Sequence, residues 1–145
     1  MENIQVLKLH PAARIPERAT ASSTGFDLYA CIESPIELKE SPQLISVGIA
    51  LSIPFGIDAQ IRPRSGLTLK GIMAGYGTID ADYRGELFVT MYLLDNDSPY
   101  VVRSGDRIAQ LVFNSTPLVN IDLVHSIDDL GSTDRSSGGH GSTGR

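Results

Sequence analysis

Tryptophan is absent from the 145 residues, cysteine occurs once, and only 6% of the chain is aromatic. A core built from this sequence is therefore filled by aliphatic side chains. The lone Cys31, between Ala30 and Ile32, rules out an internal disulfide and a cysteine-rich zinc site. It reads as a small core residue with no redox role. No apolar run approaches the ~20 residues needed to span a bilayer. Met1 to Leu9 lack the basic-then-apolar order of a secretory leader. A soluble, cytoplasmic protein with no membrane partner is the expectation. Basic residues are in deficit, with 12 Lys and Arg against 17 Asp and Glu and a formal net charge of -5. That balance argues against a nucleic-acid polymer as partner, although a local group of arginines can still hold a small polyanion. No helical apolar period is sustained, so a long helix is excluded as well.

What is present is a 41% hydrophobic chain of a length that suits one domain. Such a chain buries about two-thirds of its unfolded surface and needs no disulfide or metal staple. Its pattern consists of short alternating or β-branched runs cut by Gly, Pro, Asn and Asp. These predict strands at Ile4–Leu9, Gly25–Cys31, Leu44–Ile53, Ile57–Arg62, Glu86–Leu94, Tyr100–Val102, Arg107–Asn114 and Asn120–Val124. Many short strands with closely spaced turn signals indicate an all-β sandwich, jelly roll or barrel. One helical turn fits at Gly66–Lys70, and turns are expected at Pro54-Phe55-Gly56 and across Asp95–Pro99. After Leu130 the composition changes to Gly, Ser and Thr. The domain is therefore expected to span residues 1–130, with residues 131–145 as a flexible arm that composition alone reads as a disordered tail.

Three motif matches fail on inspection. Gly75-Tyr76-Gly77 opens a dinucleotide fingerprint, but Asp80 stands where the third glycine belongs. Asp80-Ala81-Asp82 starts like a calcium loop, yet Arg84 and Met91 occupy two of its ligand positions. The tail glycines resemble a phosphate-binding loop without its lysine.

Five further segments carry chemistry, and each alone has a plainer reading. In Pro63-Arg64-Ser65-Gly66, a serine and a glycine at the mouth of a helical turn present backbone N–H groups to an anion; as a bare tetrapeptide this is an ordinary surface turn. Between Gly77 and Gly85, two acids, Tyr83 and Arg84 lie where a hairpin is expected to turn back. If that segment is extended, Asp80 and Asp82 share a face and Asp80 can serve as a general base; the plain reading is a polar loop tip. Gln110 sits in the otherwise aliphatic strand after Gly105-Asp106-Arg107, and Asp27 sits in the strand after Thr24-Gly25. Both need polar partners, from the core or from a ligand. The last segment is Arg135 to Gly144, with a cation, the His140 ring and several Gly, Ser and Thr groups.

Taken in order, the five segments resemble the five sequence motifs of the homotrimeric dUTPases, and the resemblance covers about residues 13–144. Gly77-Thr78-Ile79-Asp80-Ala81-Asp82-Tyr83-Arg84-Gly85-Glu86 is its most specific piece. The resemblance implies a jelly-roll-like dUTPase barrel and hydrolysis of dUTP to dUMP and pyrophosphate. It implies Asp80 as the carboxylate that deprotonates water, with Arg135 reaching the phosphates from the arm. Arg64, Ser65, Gly66 and Gln110 match triphosphate contacts, and Gly77, Thr78 and Ile79 match backbone positions around the uracil. Tyr83 matches the ring beneath the deoxyribose that excludes a 2′-hydroxyl. His140, with Gly141 and Ser142, takes the place where many members lay a Phe over the base. The implied cofactor is Mg²⁺, held by phosphates and water without direct protein ligands, with Asp27 as an outer-sphere group or the centre of an internal salt bridge. A homotrimer with sites shared between subunits is also implied.

The chain departs from the family pattern in places. Ala74 stands where an Asn commonly reads uracil, Gly75-Tyr76 replaces a small-residue–Pro pair, Ser136 replaces a frequent Gly, and the Lys70–Met73 segment is about one residue short. Two rival readings are a dCTP deaminase-like enzyme of the same fold and a nucleotide-liganded regulatory protein.

Overall fold

The structure, a computed structural model, describes residues 3–95, 99–134, 136 and 137. In chain order its elements are β1 (Gln5–Lys8), β2 (Phe26–Tyr29), β3 (Ile36–Glu37), β4 (Gln43–Ser46), β5 (Ile49–Ser52), β6 (Ile57–Arg62), α1 (Ser65–Thr68), β7 (Ile72–Ala74), β8 (Gly77–Ile79), β9 (Phe88–Leu93), β10 (Val101–Val102) and β11 (Arg107–Ser115), then a 3₁₀ turn at Asp128–Leu130. The fold is all-β and jelly-roll-like. Four strands form one sheet in the order β2-β11-β6-β8, and three form another in the order β4-β9-β7. Two further pairs, β1 with β5 and β3 with β10, complete the pairing, and every ladder is antiparallel.

Alternation of side chains along a strand explains which residues face inward. In β9 the sequence Phe-Val-Thr-Met-Tyr-Leu buries every second residue, so Val89, Met91 and Leu93 enter the core. Leu28, Ile45, Val47, Ile49, Ile108 and Leu111 meet them there, all at most 1% exposed. This aliphatic filling is what a sequence without tryptophan requires, and Cys31 is part of it.

Several expectations are borne out closely. The strand Ile57–Arg62 is found with those bounds, the helical turn lies at Ser65–Thr68, and Pro54-Phe55-Gly56 turns, with Gly56 at φ +87°. The turn expected across residues 95–99 falls largely outside the described residues.

Other expectations are corrected. The run Leu44–Ile53 is two strands, broken at Val47-Gly48. Gly48 has φ +70°, and a Cβ there would stand 2.7 Å from the Cys31 sulfur, so no other residue fits without a shift. Three strands of two or three residues, β3, β7 and β8, were not expected from the pattern. The segment expected to turn back as a hairpin instead crosses between sheets, since β8 pairs with β6 whereas β9 pairs with β4 and β7.

The expected strand Asn120–Val124 does not form. From Asn114 onward every described residue is exposed, including Leu118, Leu123, Leu130 and Ile121 at 95%. The alternating pattern of that segment is real, but it meets no ladder partner among the described residues. Among the described residues no helix is long and apolar enough to cross a membrane.

Candidate active site

One cluster of polar side chains forms where β2, β11 and the end of β6 meet. Gln110 of β11 lies opposite Asp27 of β2 on one side and Arg62 of β6 on the other. The Gln110 amide donates from Nε2 to the carbonyl of Pro63 at 3.0 Å, which ties the Pro63–Gly66 turn to the sheet. Gly25 makes room for it, because a Cβ at Gly25 would stand 2.2 Å from the Gln110 oxygen.

Asp27 is partly buried and accepts two ion pairs, from Arg64 Nε at 3.5 Å and Arg107 Nη1 at 3.3 Å. Arg64 also donates from Nη1 to the Arg107 carbonyl at 2.7 Å. A β-bulge between Arg107 and Ala109 makes this arrangement possible. Residues 107 and 110 would otherwise face opposite sides of the strand; the extra residue shifts the register and lets both reach one site. Two guanidinium groups around one carboxylate leave positive charge uncompensated. That charge lies beside Ser65 and Gly66, whose N–H groups lead the helical turn and have no carbonyl of their own helix to meet.

The approach to this cluster is braced from the N-terminal segment. The Asp27 N–H donates to the Glu17 carbonyl at 2.8 Å. The Arg14 guanidinium sits 3.8 Å from the centre of the Tyr29 ring, and that of Arg18 sits 4.6 Å from the centre of Phe26.

A second cluster surrounds a cavity of about 260 Å³ lined by Ile61, Gly77, Thr78, Ile79, Asp80, Tyr83, Glu86, Leu87 and Phe88. Asp80 follows β8 and is exposed, and its carbonyl accepts the Tyr83 N–H at 3.0 Å, closing a turn. The extended conformation that would place Asp80 and Asp82 on one face is therefore not adopted. The Tyr83 hydroxyl donates to the Glu86 carbonyl at 2.9 Å, so its ring lies across Gly85. Arg84 stays within the loop, donating to the carbonyls of Ala81 and Tyr83 at 2.7 and 2.9 Å.

The structure thus gathers Asp27, Arg64, Ser65, Gly66 and Gln110 in one place and Gly77, Thr78, Ile79, Asp80 and Tyr83 in another. No side-chain hydrogen bond or ion pair between described residues joins the two groups. Arg135, His140, Gly141 and Ser142 lie outside the described residues. Sequence reasoning missed Arg107, read as the start of a strand, and the supports Glu86 and Ser46, whose hydroxyl donates to the Glu86 carboxylate. A bulge is the one signal that would have drawn Arg107 in, and it is not visible in the residue pattern.

The family model described as dUTPase matches residues 12–144. The chain belongs to the dUTPase family. Among curated relatives, a deoxyuridine 5'-triphosphate nucleotidohydrolase of Syntrophotalea carbinolica is 41% identical over 145 residues, covering 97% of this chain and 96% of its own. The protein of the same name from Treponema denticola is 44% identical over 141 residues, covering 94% and 95%. Among solved structures, the Staphylococcus bacteriophage 80alpha dUTPase with dUPNHPP superposes with a TM-score of 0.83 over 100% of both chains at 24% identity. The dUTPase of phage phi11 of S. aureus, described with a structural Mg(II) ion, gives 0.76 over 87% of this chain and 99% of its own at 24% identity. At that identity the structural likeness concerns the fold, and the dUTPase fold is what the strand order displays.

Proposed function

We infer that this protein hydrolyses dUTP to dUMP and pyrophosphate, which limits uracil in DNA and supplies dUMP for thymidylate synthesis. Membership of the dUTPase family over residues 12–144 carries the reading. The described motif residues support it, because they gather into an anion cluster and a loop bearing the exposed carboxylates of Asp80 and Asp82 and the Tyr83 ring. A dCTP deaminase-like reaction is not favoured by either observation.

In this reading Arg64, Ser65 and Gly66 bind the triphosphate, with Gln110 holding the turn that presents them. Asp80 takes the proton of the water that attacks the α-phosphorus. A positioned base of this kind contributes on the order of 10²- to 10⁴-fold. Tyr83 lies against the deoxyribose and excludes a 2′-hydroxyl. The backbone of Gly77, Thr78 and Ile79 reads the uracil edge, with His140, Gly141 and Ser142 closing over the base and Arg135 over the phosphates. Residues 1–130 form the domain in this reading, and residues 131–145 act as its arm.

The residues present fit magnesium. Among the described residues no group of three or more His, Cys, Asp or Glu side chains is arranged to hold a metal. A hard cation carried in on phosphate oxygens and water needs no such group. In this reading Asp27, whose two oxygens hold Arg64 and Arg107, would meet its water shell. Bound there, Mg²⁺ neutralises phosphate charge and so eases the approach of a nucleophile.

The homotrimer belongs to the same proposal. One observation supports it: the exposed apolar side chains between Leu118 and Leu130 call for a covering surface, which a neighbouring subunit would supply.

Pyrophosphate release measured with dUTP, dCTP, dTTP and UTP in the presence of Mg²⁺ tests the reading. Turnover of dUTP alone is expected, and Asp80→Asn should bind dUTP yet lose nearly all turnover. Near-normal activity of Asp80→Asn removes Asp80 as the base, and failure to cleave dUTP removes the function.

A further inference from the structure

We propose that Glu86 is a positioning residue for sugar discrimination, tethering the loop that carries Tyr83 to strand β4 through Ser46. The proposal rests on the reading of Tyr83 as the ring against the deoxyribose. A ring can reject a 2′-hydroxyl only if it cannot retreat from it, so what holds Tyr83 matters as much as Tyr83 itself.

The loop from Asp80 to Gly85 is cross-linked chiefly to itself. The Tyr83 N–H bonds the Asp80 carbonyl, and Arg84 bonds the carbonyls of Ala81 and Tyr83. These contacts make the loop one body. Ala81 rests against the core, β8 attaches the start of the loop through its ladder with β6, and Glu86 holds the end that carries Tyr83.

Glu86 is held in two ways. Its peptide to Leu87 is anchored, since the Leu87 N–H donates to the Ile49 carbonyl at 2.9 Å and the Leu87 carbonyl accepts the Val47 N–H at 3.1 Å. This fixes the plane of the Glu86 carbonyl that the Tyr83 hydroxyl meets. It does not fix rotation about the Glu86 α-carbon, and the preceding residue is Gly85. A glycine is required there, because a Cβ would stand 2.4 Å from the Tyr83 hydroxyl oxygen. The close packing of ring on backbone thus places the most flexible residue type at the joint. The Glu86 side chain offsets that freedom, accepting the Ser46 hydroxyl from β4. Glu86 also lines both the loop cavity and a second cavity of about 490 Å³ that reaches Cys31, Ser46 and Gly48, and so bridges loop and core. If the Leu87 peptide alone sufficed, the tether would be redundant, and the experiment separates the two cases.

Glu86→Ala, Glu86→Gln and Ser46→Ala are made in the full chain, and kcat/KM is measured for dUTP and for UTP. Glu86→Ala and Ser46→Ala should each lower the dUTP-to-UTP ratio on the order of tenfold, the effect of one hydrogen bond to a charged group. Combining them should add little, because both remove the same contact. Glu86→Gln should restore the ratio to near the parental value, since its amide oxygen accepts the same hydroxyl. A parental ratio in Ser46→Ala overturns the proposal, and does so even if Glu86→Ala fails to fold. Parental dUTP turnover is the control: where it is present and the ratios do not move, the tether alone is refuted. Where parental turnover of dUTP is absent, the function is refuted, and the tether with it.

Discussion

Gly66→Ala separates what the fold requires from what a ligand requires. Gly66 is the second residue of α1, its φ is not in the positive region, and a Cβ built on it meets no heavy atom within 4 Å. The protein without nucleotide has no reason to resist the methyl group. Alanine is favoured over glycine inside a helix by up to about 1 kcal/mol, and in this single turn about half of that is expected. A gain of ~0.5 kcal/mol raises the melting temperature of a domain this size by roughly 1–2 °C. Nucleotide binding should move the other way. If a phosphate oxygen takes the Gly66 N–H, it must approach to about 2.9 Å, and the methyl group crowds that approach. Loss of one charge-assisted bond costs about 1.5–3 kcal/mol, or roughly 10- to 100-fold in affinity. Thermal denaturation without ligand and KM for dUTP are the two assays, with competition by a non-hydrolysable imido analogue as a check on binding. A raised melting temperature with unchanged KM refutes the phosphate role of Gly66. A lowered melting temperature refutes the claim of open space.

Gly25→Ala should behave oppositely, destabilising the free protein. The new Cβ displaces the Gln110 amide and costs its bond to Pro63, about 1–2 kcal/mol, with a raised KM for dUTP; a parental melting temperature would show that the amide has another place to go. Deleting residues 132–145 should leave the melting temperature almost unchanged and lower kcat by roughly two orders of magnitude, by analogy with other phosphoryl-site arginines; full activity in the truncated protein returns the segment to a plain tail. Burial and then the neighbouring Glu86 carboxylate push the Cys31 thiol above its ordinary value, opposed in part by Lys8. Its alkylation by iodoacetamide should therefore be slow at neutral pH, climb only in alkaline solution, and quicken in Glu86→Gln; rapid alkylation at neutral pH contradicts the burial seen here.

The residue pattern by itself determined the fold class, the longer strands and the identity of the chemical groups. Ile57–Arg62 is legible because alternation is a local property, most of Arg107–Ser115 because it is a run of aliphatic residues, and Asp27 and Gln110 declare a need for partners simply by standing among such residues. Only the tertiary structure decided who those partners are. Asp27 meets Arg107, 80 residues away, because β2 and β11 pair in one register and a bulge turns Arg107 toward it. The strands β3, β7 and β8 are too short for any period to appear; β7 and β8 exist because the longer β9 and β6 offer them a ladder, and β3 because it meets the equally short β10. The reverse holds for residues 120–124, where a strand pattern meets no partner within the described chain and forms none. A strand's side-chain pattern is written along the chain, but its hydrogen bonds are made across it, and the second requirement has no local trace.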